Sequence, residues 1–352
     1  MTATPTPAPP GVSARVRVLQ TFPAPRATTN PYITMLDAAL AAEPELEHLR
    51  FSWRTALFGS YDVIHLHWPE ALFSASTPLK ALGKHLAFRL LLARVRQRRI
   101  AVVRTVHNLH LPRDVSPAQR RILERVEQLA TLRILIGETT RLPEGQPHVT
   151  ILHGHYRDWF ASAPRSEATP GRLGFVGLIR RYKGVEDLIR AFRELASERA
   201  DLELTVSGKP TSEELAAELR ALAADAPRIS LAFGFLDDDA FVQAMTGAEL
   251  VVLPYRFMHN SGSVLAALSL ERPVLVPDNE ANRALAAEVG DGWLHCYAEE
   301  LDTAALLRAI DAVQAEPPVG APDLSRRGWE DTGSRHLDAY RLALGIRREA
   351  RG

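Results

Sequence analysis

The stretch GFVGLIRRYKGVEDLIRAF, residues 174–192, passes from an apolar strand pattern to a helical one through a single basic turn. Gly177 ends the strand, Arg180, Arg181 and Lys183 crowd the turn, and apolar residues resume at helical spacing from Val185. Such a hand-over is the building unit of a doubly wound parallel sheet. The start of its helix offers unsatisfied backbone N–H groups at the positive end of the helix dipole. With Arg180 and Lys183 added, the turn becomes a receptor for a diphosphate. The competing account is a solvated loop whose charges only keep the surface wet.

Outward from this stretch the alternation repeats. VRVLQTF (16–22), DVIHLHW (62–68), AVVRTVH (101–107), LRILIG (132–137) and HVTILHG (148–154) read as buried parallel strands of a first half. RLGFVG (172–177), LELTVSG (202–208), ISLAFGF (229–235), ELVVLPY (249–255) and RPVLVP (272–277) do the same in a second. Helical stretches such as 184–199, 212–225, 237–247 and 262–270 are long enough for right-handed crossovers. The expected fold class is α/β, with two doubly wound, Rossmann-like parallel sheets. The domains expected are a disordered leader over 1–14, a first domain over 15–160, a second over 161–325 and a terminal helix over 326–352. The joint is expected near 154–172, where Pro, Ser, Ala and Gly accumulate.

Composition agrees with two domains. The chain has 352 residues, 46% hydrophobic and 24% charged, which is too long for one modest core. No apolar run approaches the roughly 18 residues needed to span a bilayer, and the start lacks the order of a secretion signal. The lone cysteine, Cys296, excludes an internal disulfide framework and a multi-cysteine zinc site, and fits a reducing, cytoplasmic setting.

Net neutrality hides an asymmetry. Residues 1–150 hold 19 Lys plus Arg against 11 Asp plus Glu, and the remainder holds 23 against 31. Much of the basic excess lies in PLKALGKHLAFRLLLARVRQRRI (78–100), with seven Lys or Arg and no acid. Leu82, Leu86, Leu90 and Ala93, with Phe88, Leu92 and Val95, recur there at helical spacing. The segment reads either as a surface helix packed on a sheet or as a dock for an anionic membrane surface. Nothing in the chain suggests a nucleic-acid partner.

Open α/β sheets bind ligands beyond the carboxyl ends of their strands. In the second half, MHNSGSVLAALS (258–269) supplies another helix start, with Asn260, Ser261 and Ser263 as N-cap candidates around Gly262. SGKP (207–210) adds a glycine turn at Gly208 that brings Lys209 or merely reverses the chain. None of these matches a Walker loop or a GxGxxG fingerprint, so an NTPase or an ordinary dehydrogenase loses support.

FVGLIRRYKGVEDLIRAF resembles the strand, basic loop and helix of the GT-B glycosyltransferases, in particular the "group one" class that uses nucleotide sugars. GFLDDDAFVQAMTGAELVVLPYRFMHNSGSVLAALSLERPVLVP (234–277) is similar to that family in its order of base-binding loop, helix, strand, phosphate-contacting helix and strand. The resemblance covers nearly all of the chain beyond the leader. It implies two domains facing across a cleft and a terminal helix, RRGWEDTGSRHLDAYRLAL (326–344), that crosses back to the first domain.

For the donor, the resemblance implies that Arg180 and Lys183, with the backbone around Ser261, Gly262 and Ser263, hold the diphosphate; Gly177, Gly208 and Asn260 are further donor-site candidates. Gly234, Phe235 and Leu236 then border the nucleobase. Positive charge is needed because breaking the anomeric bond leaves a nucleoside diphosphate with extra negative charge. This can replace a metal, and no metal or other cofactor is expected; Asp237, Asp238 and Asp239 read as a helix cap. One departure stands out. Where the family often carries two glutamates seven residues apart, this chain has Met258 and Ala266, which cannot accept hydrogen bonds as carboxylates do. Ribose is then left to Asn260 or Glu280, and retention or inversion stays open.

The first domain is expected to bind the acceptor. Asn30 and Tyr32 follow the first strand, and HLHWPE (65–70) ends the next with His65, His67, Trp68 and Glu70. Hydroxyl-binding groups beside an indole suit carbohydrate. His65 reads more readily as a hydrogen-bonded core histidine. His107 and Asn108 end another strand, and His107 resembles the histidine found near the sugar in several GT-B families; a histidine merely holding a loop is the alternative. Glu70, His107 or Asp114 could act as base for an inverting transfer, with His110 a weaker site candidate. The histidines lack the spacing of an ordinary zinc enzyme. The sequence thus points to a transferase moving a hexose-type sugar from a UDP- or GDP-sugar donor to a saccharide or polyprenyl-linked glycan acceptor. The alternatives are a two-domain nucleotide-sugar epimerase and a non-catalytic binding protein.

Overall fold

The structure, a computed structural model, describes residues 15–73, 77–108 and 116–350. The expected leader over 1–14 and the candidates His110 and Asp114 lie outside these residues. By contacts the chain divides into one unit of 1–135, 142–151 and 329–352 and a second of 136–141 and 152–328. The stretch 154–172, expected as the joint, falls inside the second unit.

The first unit is built on a parallel sheet of β1 (Val16–Gln20), β2 (Leu46–Leu49), β3 (Val63–Leu66), β4 (Ala101–Val106), β5 (Leu132–Leu135) and β6 (His148–Thr150). The order is β2-β1-β3-β4-β5-β6. β3 and β5 are buried along their whole length, as expected of strands covered on both faces. The chain runs outward from β1 in both directions, so β1 and β3 flank the switch point at which doubly wound sheets open a ligand crevice. The C-terminal helix Thr332–Glu349 packs on this unit against the helix Pro31–Ala42, and the sheet-facing ring of Tyr340 is fully buried.

The second unit repeats the plan with β7 (Thr169–Val176), β8 (Glu203–Gly208), β9 (Ile229–Phe233), β10 (Ala248–Val252), β11 (Val274–Pro277) and β12 (Leu294–Tyr297). The order is β12-β11-β10-β7-β8-β9, again parallel, with its switch point between β7 and β10. The helix Val185–Glu198 crosses from β7 to β8, burying Leu188, Ile189, Phe192 and Leu195.

Candidate functional site

In the second unit the carboxyl ends of β7 and β10 lie at the switch point, and the residues of the opening stretch gather there. β7 exits at Gly177, a short turn of 3-10 helix covers Arg181–Lys183, and Gly184 takes a left-handed φ of 63° before the helix Val185–Glu198. A Cβ on Gly184 would sit 2.2 Å from the Pro254 carbonyl oxygen, so only glycine lets this turn lie against the end of β10.

The three cations of the turn have different environments. Arg181 pairs with Glu218 at 2.9 Å and Glu186 at 3.5 Å, which makes it a surface clamp. Arg180 is exposed and has no ion pair among the described residues. Lys183 is 8% exposed, its ammonium 4.8 Å from the ring centre of Tyr255 and 5.9 Å from that of Phe175. It too has no carboxylate partner among the described residues, and burial lowers its pKa to about 8. A buried cation held on aromatic faces is costly unless an anion arrives.

The other candidate donor element, the start of the helix Gly262–Ser269, is linked to Lys183 through Tyr255. The helix Gly262–Ser269 begins after Ser261, whose side chain makes no capping hydrogen bond, so the first-turn N–H groups have no such cap. Tyr255, whose ring faces Lys183, donates its hydroxyl to Ser263 Oγ at 3.0 Å and so links the basic turn to the start of the helix Gly262–Ser269. Gly208 ends β8 beside Gly177, and Gly234 donates its N–H to the Gly208 carbonyl at 3.1 Å, which brings Phe235 (67% exposed) and Leu236 to the same sheet edge.

Asn260, a donor candidate, has its side chain engaged within the second unit. It sits at a left-handed φ of 47°, and its amide donates to Thr140 Oγ1 at 3.2 Å, so its side chain pins the 136–141 segment. Glu280, the other ribose candidate, is paired with Arg141 at 3.0 Å. Met258 takes a hydrogen bond on sulfur from Asn282 and Ala266 is buried, so neither position of the usual glutamate pair presents a carboxylate.

In the first unit the ends of β1, β3 and β4 converge. His107 stacks on Trp68, ring centres 3.8 Å apart and planes within 18°, and meets the edge of Tyr32 at 5.4 Å. Tyr32 in turn touches Trp329 at 5.7 Å. His107 Nε2 lies 3.4 Å from His67 Nδ1, and His67 Nε2 lies 3.1 Å from Gln20 Oε1. Burial lowers the pKa of His67 to about 3, so it is neutral near pH 7. An amide oxygen can only accept, so His67 carries its proton on Nε2, and its Nδ1 accepts from His107 Nε2–H.

The line of hydrogen bonds continues inward. Gln20 donates to the Tyr340 hydroxyl at 2.9 Å, Tyr340 lies 2.8 Å from His65 Nδ1, and His65 Nε2 lies 2.8 Å from Thr105 Oγ1. His65 is fully buried within this network. Gln20 and Tyr340 are not singled out by the sequence reading; the signal for Gln20 is a lone amide at the end of β1 after the apolar pair Val18–Leu19.

The remaining candidates are spread out. Asn30 caps the helix Pro31–Ala42 by accepting from the Tyr32 N–H at 3.0 Å, and Asn108 is exposed next to His107. Glu70, expected with the catalytic group, lies in the 3-10 turn Pro69–Phe73. Burial pushes its carboxyl up, opposed by the charge of Arg104. Arg104 pairs with Glu127 and alternates along β4 with Thr105, so it serves the opposite sheet face from His65. Among the described residues no group of His, Cys, Asp and Glu forms a metal cluster.

Residues 170–315 match the family described as Glycosyl transferases group 1. The chain is 42% identical over 334 residues to a GDP-mannose:glycolipid 4-beta-D-mannosyltransferase of Xanthomonas campestris pv. campestris, covering 94% of this chain and 93% of that protein. This chain belongs to the group 1 glycosyltransferases. Solved structures agree on the fold. Sucrose-phosphate synthase from Thermosynechococcus elongatus superposes with a TM-score of 0.59 at 13% identity, covering 96% of this chain and 97% of that one. The Anabaena protein HepE in complex with UDP-glucose also gives 0.59 at 13% identity, covering 96% and 99%. The doubly wound units of this glycosyltransferase are thus of the GT-B class, as its sequence led us to expect.

Proposed function

We propose that this glycosyltransferase moves mannose from GDP-mannose to the saccharide of a glycolipid, forming a β linkage at the cytoplasmic face of a membrane. The observation that carries this reading is the 42% identity, spread over 94% of the chain, to a protein named for that donor and acceptor. The second unit supplies an anion site in which Lys183 and the uncapped start of the helix Gly262–Ser269 receive the charge that develops on the leaving diphosphate. GDP-mannose is an α-linked sugar phosphate, so a β product means inversion, and inversion requires a base for the acceptor hydroxyl. We assign that role to His107, which His67 and Trp68 hold in place and whose imidazolium form the Trp68 ring supports. The absence of the family's sugar-side glutamate fits this, because a direct displacement has no need of a carboxylate beside the departing sugar.

Incubation with GDP-mannose, a panel of other nucleotide sugars and a glycolipid acceptor tests the reading. Mannose transfer in β linkage is expected, and transfer from a UDP-sugar alone would overturn it. His107→Ala is expected to lower kcat by roughly 10²–10⁴-fold with GDP affinity unchanged; full activity removes His107 from the reaction. Because Lys183 and the helix start supply the positive charge, we propose that the transfer needs no divalent metal, and EDTA is expected to leave the rate unaltered.

A further inference from the structure

We propose that the helix Pro78–Arg98 is a membrane-insertion face, lying in the plane of an anionic bilayer with a leucine stripe in the acyl boundary and a basic rim among the headgroups. The inference deepens the glycolipid reading and rests on it for its purpose. Phe88, Leu91 and Val95, at most 1% exposed, fix one side of the helix to the core of the first unit. On the opposite side Leu79, Leu82, Leu86 and Leu90 stand 79%, 68%, 58% and 53% exposed. Their spacing of three, four and four residues makes one continuous row about 16 Å long. A second, independent apolar group is close by. Phe58 is 82% exposed, and the next residue, Gly59, is bound through its carbonyl by Arg94 of this helix.

The charges decide what covers the row. Lys80, Arg89, Arg96 and Arg98 are exposed along the helix, which has no acidic residue. None of the four has an ion pair among the described residues, whereas Arg17, Arg50, Arg172 and Arg199 elsewhere on the surface are each paired with a carboxylate. At 100° per residue, Arg89 and Arg96 project on one flank of the leucine row and Lys80 and Arg98 on the other. An apolar row flanked by unpaired cations complements a lipid surface with anionic headgroups. A second copy of the chain is a poorer occupant, because a two-fold contact across this face sets cationic rim against cationic rim.

Flotation of the full chain with phosphatidylcholine vesicles, with and without phosphatidylglycerol, tests this without acceptor or donor. Binding is therefore read separately from transfer, and a chain that binds but transfers nothing would sink only the functional reading. Expected are flotation with the anionic vesicles, release by high salt, and little binding to phosphatidylcholine alone. Lys80→Gln/Arg89→Gln/Arg96→Gln is expected to weaken partitioning by roughly a hundredfold. Leu82→Gln/Leu86→Gln, which leaves the charge unchanged, is expected to weaken it by about tenfold or more. Parent-like circular dichroism and urea unfolding of both variants show that the first unit, which carries the helix, is folded. Failure to float with anionic vesicles, or flotation that both folded variants retain, would overturn the inference. So would a dimer that the leucine variant dissociates in a chain that binds no vesicle.

Discussion

Lys183 illustrates at the scale of one residue how a binding site costs stability. Its ammonium is taken out of water, set on the rings of Tyr255 and Phe175, and given no carboxylate. Its folded pKa of about 8 lies below the roughly 10.4 of a free lysine, so the empty fold carries the full penalty below pH 8 and recovers it as pH rises through the unfolded value. Lys183→Met is therefore expected to stabilise the empty protein at pH 7 by on the order of 1–3 kcal/mol. The same change is expected to weaken GDP binding by about 1.5–3 kcal/mol. In the unsubstituted protein GDP affinity is expected to fall above pH 8, where binding must first restore the proton. Chemical denaturation and calorimetric titration between pH 7 and 9 check both halves. If the variant binds GDP as tightly as the parent, with the same pH dependence, Lys183 is not the diphosphate anchor.

Elements show what could be read from the sequence and why the rest could not. Ten of the twelve strands among the described residues were expected: eight are interior strands, which read as apolar runs bounded by turns, and the edge strands β6 and β9 lie within the β-rich runs HVTILHG and ISLAFGF. β2 and β12 were missed. Both are edge strands of four residues, half exposed, with polar residues interrupting the pattern in LEHL and LHCY. Lys183, Ser261 and Gly262 were legible for a similar reason: a basic or glycine-rich turn after a strand is local information. The relay from His107 through Gln20 to Tyr340 was not, since it joins residues 320 apart that only the packing of the C-terminal helix brings together. The strand ends also make a sharper prediction. Gly208 has φ 148°, and a Cβ there would lie 1.9 Å from the Gly177 carbonyl oxygen, where β7 and β8 close against each other. Gly208→Ala is expected to cost more than about 2 kcal/mol in stability, with GDP binding lost in whatever fraction stays folded. Unfolding by urea and GDP titration of the same sample check it; a variant as stable as the parent would mean the two strand ends are not in this contact.

At the scale of the molecule the two units share one plan but differ in how they meet acid. The first buries His65, His67 and His336 around Tyr340, whereas His153 is the buried histidine of the second. Burial lowers the pKa of His67 to about 3, of His336 and His153 to about 4, and of His65 well below its usual value. Near pH 7 these rings are neutral in both the folded and the unfolded chain, and the stability they permit is fully present. As pH falls below about 6.5 the unfolded chain takes up protons that the folded one refuses, so each ring costs about 1.4 kcal/mol per pH unit until its folded pKa is reached. With His48 the first unit carries four rings whose pKa burial lowers, against two in the second, His153 and His295, and it is therefore expected to unfold before the second as pH drops from 6.5 towards 4.5. Tryptophan fluorescence follows this, with Trp53 and Trp68 reporting on the first unit and Trp159 and Trp293 on the second. His336 is the ring to remove, because its Nδ1 bonds only the Thr332 carbonyl and it stands outside the line from Gln20 to His107. His336→Phe is expected to flatten the dependence of unfolding free energy on pH by close to one proton, or about 1.4 kcal/mol per unit between pH 6 and 5. An unchanged slope would place the acid sensitivity of the first unit elsewhere than in its buried imidazoles.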